Sequence, residues 1–282
     1  MCHARRVDDY RALNRASWDE RVPAHAASPD YKLAQYEQDP NFIGDVVRFD
    51  LPRLGDVSGL RGVHLQCHIG TDTISLARLG ARMSGLDFSG PAIGQAQSFA
   101  DRLGLEVDFH QADVYDAVAV LGEASYDLVF TGIGALCWIP SIERWARTVA
   151  GLLKPGGRLF IREGHPMLWA LEGSKHPGLM TLGYPYFETE APMVWDEGGT
   201  YVETEVEFAN NLTHEWNHGL GELVTALMNA GMDITGLTEH DSAPWEALPG
   251  HMSQEPEFGE WRLTENPERL PATYTLQAIR RS

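Results

Sequence analysis

The stretch Val63–Asp87, VHLQCHIGTDTISLARLGARMSGLD, decides the fold. Val63-His64-Leu65-Gln66-Cys67 reads as a short buried strand, and Gly70 closes the turn that follows it. Thr71 or Asp72 can cap the next helix, where Ile74, Leu76, Ala77 and Leu79 gather on one side before Gly80 stops it. Arg82-Met83-Ser84-Gly85-Leu86-Asp87 is a second strand, and it ends in an acid. Strand, turn, helix and strand follow one another with no spare residues, which is the grammar of a parallel sheet.

The same grammar continues outward. Ser89 can cap a helix with Pro91 in its first turn, and Ile93, Ala96, Ala100 and Leu103 keep the helical period. Residues 105–110 alternate like a third strand, and Tyr126–Thr131 is a fourth. Ile142, Trp145, Ala146, Val149, Leu152 and Leu153 line one helical face. Lys154-Pro155-Gly156-Gly157 is a turn, and Arg158–Glu163 a fifth strand. Beyond it come loops, an antiparallel-looking stretch, one clear helix and a final strand. That helix shows Leu220, Leu223, Val224, Leu227 and Met228 on one side, with Gly231 at its end. Residues 1–57 are polar but carry Trp18, Tyr31, Tyr36, Phe42 and Phe49, so they read as helices and turns able to cap a site. The expected organisation is a lid over 1–57 and one α/β domain over 58–282, with acceptor-site elements in 164–260.

Composition narrows the function. A net charge of −18 disfavours phosphate backbones and anionic membrane surfaces as partners. No apolar run approaches the ~20 residues of a membrane span, and Met1-Cys2-His3-Ala4-Arg5-Arg6 does not open a secretory signal. Cys2, Cys67 and Cys137 are too few for a disulfide framework or a zinc site, which suits the cytoplasm. His165, His214, His218 and Asp241 form no compact ligand motif, so no metal is expected. The expected partner is a small molecule, and the expected assembly a monomer or homodimer.

Each strand end then offers different chemistry. After strand one, Gln66-Cys67-His68-Ile69-Gly70-Thr71 can turn backbone N–H groups toward an anionic group. Asp87 can accept both hydroxyls of a ribose. Asp113, after strand three, can accept from an exocyclic amine while Val114 packs on a purine face. Thr131-Gly132-Ile133-Gly134, after strand four, lets backbone approach a ligand closely.

In this order these pieces resemble the class I S-adenosylmethionine (SAM)-dependent methyltransferases. The matching segments are the loop ending at Gly70 with Ser75-Leu76-Ala77-Arg78-Leu79-Gly80-Ala81, then Gly85-Leu86-Asp87-Phe88-Ser89 and Gln111-Ala112-Asp113-Val114. Tyr126–Phe130 and Leu152-Leu153-Lys154-Pro155-Gly156-Gly157-Arg158-Leu159 complete them. The resemblance implies a Rossmann-like, mainly parallel seven-stranded sheet with helices on both faces and an N-terminal helical lid. It implies SAM as cofactor and S-adenosylhomocysteine (SAH) as product. Asp87, with Phe88 and Ser89, would hold the ribose, and Asp113 with Val114 the adenine. Gln66, Cys67, His68, Gly70 and Thr73 would lie by the methionine part, with Thr131, Gly132 and Ile133 alongside. One departure stands out. The family's first loop is usually glycine-rich with an acid on the strand before it. Here only Gly70 remains, His64 occupies the acid's place, and Gln66 and His68 occupy those of the first two glycines. A bacterial small-molecule subgroup with a Gln-Cys-His loop is similar.

The implied reaction is methyl transfer to an O, N or S atom of a small organic molecule, such as one of secondary metabolism. Two alternatives are an enzyme of this fold that cyclises or cleaves SAM, and a degenerate non-catalytic relative. A nicotinamide dehydrogenase fits less well, because its glycine fingerprint is absent. His218, just before the C-terminal helix, and His165, just after strand five, are the candidate general bases. For His165 a turn histidine satisfied by backbone is the equal alternative. Trp18, Tyr31, Trp138, His214 and Trp216 are the candidate acceptor-binding residues. Cys67 reads as a small buried hydrophobe rather than a nucleophile.

Overall fold

A computed structural model of the chain describes residues 10–173 and 180–282. Seven strands form the central sheet: β1 (Arg61–Leu65), β2 (Arg82–Asp87), β3 (Asp108–Gln111), β4 (Tyr126–Thr131), β5 (Leu153–Gly164), β6 (Met232–His240) and β7 (Thr273–Arg280). Their order is β6-β7-β5-β4-β1-β2-β3. β7 runs antiparallel to both of its neighbours, and the pairings from β5 through β3 are all parallel. The chain order reverses between β1 and β4, and the carboxyl ends of these two strands frame the crevice where such sheets bind ligands.

Nine helices surround the sheet among the described residues: α1 (Tyr10–Ala27), α2 (Leu33–Gln38), α3 (Asp45–Leu54), α4 (Thr71–Arg78), α5 (Gly90–Leu103), α6 (Ala117–Leu121), α7 (Ile142–Leu152), α8 (Pro166–Trp169) and α9 (Leu220–Asn229). The apolar faces read from the sequence explain the layers. Trp145, Ala146 and Val149 of α7 join Leu223 and Leu227 of α9 in one buried cluster against the sheet. Val47 and Leu54 of α3, Ile74 and Leu76 of α4 and Phe99 of α5 form the other, on the opposite face. The N-terminal segment therefore plays two parts. Its end, α3, belongs to the core layer, while α1 lies over the strand ends. Among the described residues no helix is long and apolar enough to cross a membrane.

Several boundaries differ from the sequence reading. β1 stops at Leu65 because Gln66 leaves the extended region, with φ 56°. β3 is limited to Asp108–Gln111. The Lys154–Gly157 turn is absorbed into β5, whose register with β4 shifts between Tyr126 and Leu128. Neither Thr71 nor Asp72 caps α4. The cap position falls on Gly70, so both residues lie inside the first turn. Ser89 does cap α5, its hydroxyl accepting from the Ala92 N–H at 3.2 Å.

A buried ionic group fastens α3 to the sheet. Arg162 of β5 donates to Glu260 at 2.8 Å and lies 3.8 Å from Asp50 of α3. Its guanidinium also covers the Phe49 ring at 3.7 Å, and Asp50 accepts from Thr275 of β7 at 2.9 Å.

Candidate active site

The loop after β1 is a chain of left-handed residues: Gln66 at φ 56°, His68 at 49° and Gly70 at 79°. For the first two this conformation costs about 1–2 kcal/mol each, so something must hold it. Asp87 at the tip of β2 does. Its Oδ2 accepts from the His68 N–H at 2.9 Å and its Oδ1 from the Ser89 N–H at 2.9 Å. Gln66 donates from its side chain to the Ala135 carbonyl at 2.6 Å, joining the loop to the one after β4. At Gly70 a Cβ would come within 2.9 Å of both Ala96 and Phe109, so close packing as well as φ demands glycine. Burial pushes the Asp87 carboxyl up to about 6, against the two N–H bonds that favour its charge. A carboxylate has about four acceptor sites, so Asp87 retains capacity for a ligand.

Cys67 and Thr73 face inward. Cys67 is buried, with its sulfur close to Gly85, and Thr73 is buried with its hydroxyl 2.9 Å from His64 Nδ1. Asp113 caps the turn after β3, accepting from the Tyr115 N–H at 2.9 Å. Its other oxygen meets Arg11 of α1 at 2.8 Å, and Val114 beside it is buried. Burial raises the Asp113 carboxyl, opposed by the Tyr115 N–H and by Arg11.

The N–H groups of the loop after β4 converge on one carboxylate. Glu163, near the end of β5, accepts from the N–H groups of Gly134 at 2.5 Å, Ala135 at 2.9 Å, Leu136 at 2.9 Å and Gly164 at 2.7 Å. This fixes the turn that presents Trp138. Thr131 is fully buried, and Gly132 and Ile133 continue along the crevice.

α1 closes over these loops. The Trp18 ring meets the rings of His68, Trp138 and His25 edge-on, with centroids 5.0, 5.2 and 5.6 Å apart. His25 Nδ1 lies 2.8 Å from His68 Nε2, and His25 Nε2 lies 2.6 Å from the Thr200 hydroxyl. The Tyr31 ring stacks near His25, and its hydroxyl shares a hydrogen bond with that of Tyr201. Burial lowers both imidazoles, His25 to about 4 and His68 well below its ordinary value, each helped by a neighbouring group. Both rings are therefore neutral at pH 7.

The other singled-out histidines lie elsewhere. His218 is buried, with Nδ1 2.8 Å from Glu188 and Nε2 at 3.0 and 2.9 Å from the carbonyls of Leu136 and Ile139. Each of its nitrogens thus faces only acceptors. His165 caps α8, accepting from the Met167 N–H at 3.0 Å through Nδ1, with Nε2 2.9 Å from Glu239. His214 is tied through its backbone to Asn14 of α1, at 2.8 Å in both directions. Trp216 is buried, edge-on to Tyr10 at 5.2 Å. Asp241 pairs with Arg262 at 3.1 Å, so the four residues considered for a metal go to separate partners.

Several site residues escaped the sequence reading. His25 lies two helical turns from Trp18, a spacing that would have put them on one face. Glu163 stood beside His165 in the sequence, but nothing there told that its carboxylate turns back to four N–H groups. Glu20 and Arg21 clasp the segment 199–211. Glu20 accepts from the Asn210 N–H at 2.7 Å, and Arg21 donates to Gly199, Asn210 and Asn211 at 2.9–3.0 Å.

Known proteins place this architecture. Residues 63–159 match the family model of the methyltransferase domain. The crystal structure of an S-adenosylmethionine-dependent methyltransferase from Mesorhizobium loti superposes with a TM-score of 0.57 at 22% identity, covering 82% of this chain and 97% of that one. One from Clostridium acetobutylicum ATCC 824 gives 0.54 at 11% identity, covering 84% and 90%. Among curated proteins, the ubiquinone biosynthesis O-methyltransferase of Xanthomonas axonopodis pv. citri (strain 306) is 28% identical over 165 residues, 56% of this chain and 60% of that protein. The enzyme of the same name from Escherichia coli O9:H4 (strain HS) is 32% identical over 128 residues, 44% and 52%. The chain spans about three fifths of the first of these relatives and half of the second. Residues 63–159 are thus similar to a methyltransferase domain, and the chain has the fold of the class I SAM-dependent methyltransferases.

Proposed function

We propose that this chain transfers the methyl group of SAM to a small organic acceptor, with SAM lying along the carboxyl ends of β1, β2 and β4 beneath α1. The observation that carries this reading is the first loop. It has lost two glycines yet keeps left-handed residues in their places, pinned by the acid at the tip of β2. The lining fits a polar ligand. Among the described residues, His64 Nε2, Gln66 Oε1, Thr131 Oγ1 and Asp19 Oδ1 are buried without a hydrogen-bond partner, and such atoms are costly unless something satisfies them.

When bound, SAM supplies an electrophilic methyl group on a positively charged sulfur. The protein's work is then positioning and exclusion of water. Asp87 offers its remaining acceptor sites to the ribose hydroxyls, with Phe88 and Ser89 beside it, and Asp113 accepts from the adenine amine next to Arg11. Gln66, His68 and Gly70 border the methionine part, together with Gly132 and Ile133. Trp18, Tyr31, Tyr201 and Trp138 wall the reacting end, where aromatic faces favour a cation.

The names of the relatives point to oxygen as the methylated atom, so we propose a flat hydroxylated acceptor. Its proton passes to the neutral His25–His68 pair. His218 and His165 enter this proposal as positioning residues, since the rings that meet Trp18 are those of His25, His68, Trp138 and Tyr201. His214 and Trp216, together with the other described residues of 164–260, shape the acceptor end against α1; residues 174–179 lie outside the described ones. The net charge of −18 supports a small molecule over nucleic acid, and a cytoplasmic monomer or homodimer is the proposed setting.

Isothermal titration with SAM and SAH, followed by a mass-spectrometric screen of phenolic acceptors, tests the proposal. Micromolar binding of both ligands and a mass gain of one methyl group are expected. Folded protein that binds neither would refute it.

A further inference from the structure

The first loop lacks the acid that its family carries on the strand before it, and His64 stands in that place. The structure brings another acid to the same spot. A Cβ built on Gly132 would lie 3.3 Å from Asp72 Oδ2 and 3.4 Å from His64 Nε2. Strand β1, helix α4 and the loop after β4 thus converge on one point, with glycine leaving it open. His64 is held from behind by Thr73 at 2.9 Å, which leaves its buried Nε2 unpartnered and aimed at the opening. Thr131 Oγ1, buried on the residue before Gly132, is unpartnered too.

Asp72 is an anion without a counter-charge of its own. No hydrogen bond or ion pair of its carboxylate falls among the described residues. Burial pushes it up to about 6, and Arg162 opposes this only from a distance, since its guanidinium is committed to Glu260. A partly buried carboxylate kept free in this way calls for a cation.

On the reading that SAM binds here, the ligand brings two cationic groups, the α-ammonium and the sulfonium. The sulfonium loses its charge as the methyl group leaves, so an anion set against it would favour the ground state and oppose transfer. The ammonium keeps its charge throughout. We infer that Asp72 is the counter-charge of the cofactor's α-ammonium, with His64 Nε2 and Gly132 forming the rest of that cradle.

Titration calorimetry with four ligands tests this: SAM, SAH, the SAH analogue lacking the amino group, and methylthioadenosine, which has no amino-acid part. In the natural protein, removing the amino group should weaken binding about 10- to 100-fold. Asp72→Asn should weaken SAM and SAH by a similar factor, and leave the deaminated analogue and methylthioadenosine nearly unchanged. Loss of SAM alone would assign Asp72 to the sulfonium and overturn the inference. Equal loss of all four ligands would make Asp72 structural and overturn it as well. Should the variant not fold, the natural protein decides alone, because equal affinity for SAH and its deaminated analogue leaves no ammonium site. Failure of the natural protein to bind SAM, SAH or methylthioadenosine would instead strike the proposed function itself.

Discussion

The loops after β1 and β4 lie side by side at the switch point, and each is tied by a carboxylate from the tip of the neighbouring strand. Glu163 gives its oxygens to four backbone N–H groups. Asp87 gives its oxygens to two. A carboxylate with all its acceptor sites spent on backbone is a pin, and one with half of them left is a pin that can also hold a ligand. Asp72, in the same crevice, extends the series to none. On the proposed reading the same functional group serves structure, then both, then ligand alone, according to how many N–H groups reach it.

The series breaks most readily at its structural end. Glu163→Ala should leave three N–H groups of the turn after β4, and that of Gly164, without an acceptor and cost about 3–5 kcal/mol of stability. Urea denaturation would show it, and a loss below about 1 kcal/mol would mean that the loop stands without its pin. Asp87→Ala should cost less stability, about 1–3 kcal/mol, but lower SAM affinity on the order of 100-fold. Normal SAM affinity in a folded Asp87→Ala variant would undo the ribose assignment.

Asp72→Asn should go the other way. The folded carboxyl titrates near 6 against an ordinary value of 3.8, so the folded state holds its proton more tightly between those values. Its penalty is absent below about pH 4 and complete above about pH 6. The free Asp72→Asn variant should therefore be more stable than the natural protein above pH 6, by at most about 2 kcal/mol. That advantage should vanish on acidification toward pH 4. An advantage independent of pH would show that charge is not its cause. Smallest of all, Arg11→Ala removes a half-exposed partner of Asp113. It should change stability by less than about 1 kcal/mol and speed SAM release up to about fivefold, with less difference at high salt. Stopped-flow displacement of SAM would read the rate.

Much of this was legible beforehand, and the reason is local. β2 and β4 were readable to the residue, because their apolar runs are bounded by clear turns. The tip of β2 could be found by counting, which puts Asp87 there, and the third strand reads as ending one residue short of the end of β3. What sequence could not give depends on where backbone N–H groups end up. Asp72 looked like a helix cap, yet the left-handed Gly70 takes the cap position and leaves the carboxylate facing the crevice. Glu163 looked like the last polar residue of a strand. Its role depends on a loop about thirty residues earlier curling back to it. The partner segment of Glu20 and Arg21 lies far along the chain, 189 residues on from Arg21 at Asn210, where no periodicity points to it.

That last pairing has a consequence in time rather than in affinity. Helix α1 is fastened along its length: Arg11 on Asp113 toward the proposed adenine end, Asn14 on the His214 backbone, and Glu20 with Arg21 on 199–211 toward the proposed sulfur end. If α1 is the lid of the proposed site, a spent ligand leaves when the helix lifts, and the fastening that yields first sets the direction of exit. The clasp at the far end has many more hydrogen bonds than the lone ion pair at Asp113, so the adenine end should come free first. Product would then back out base first, while the reacting end stays shut against water until the last moment.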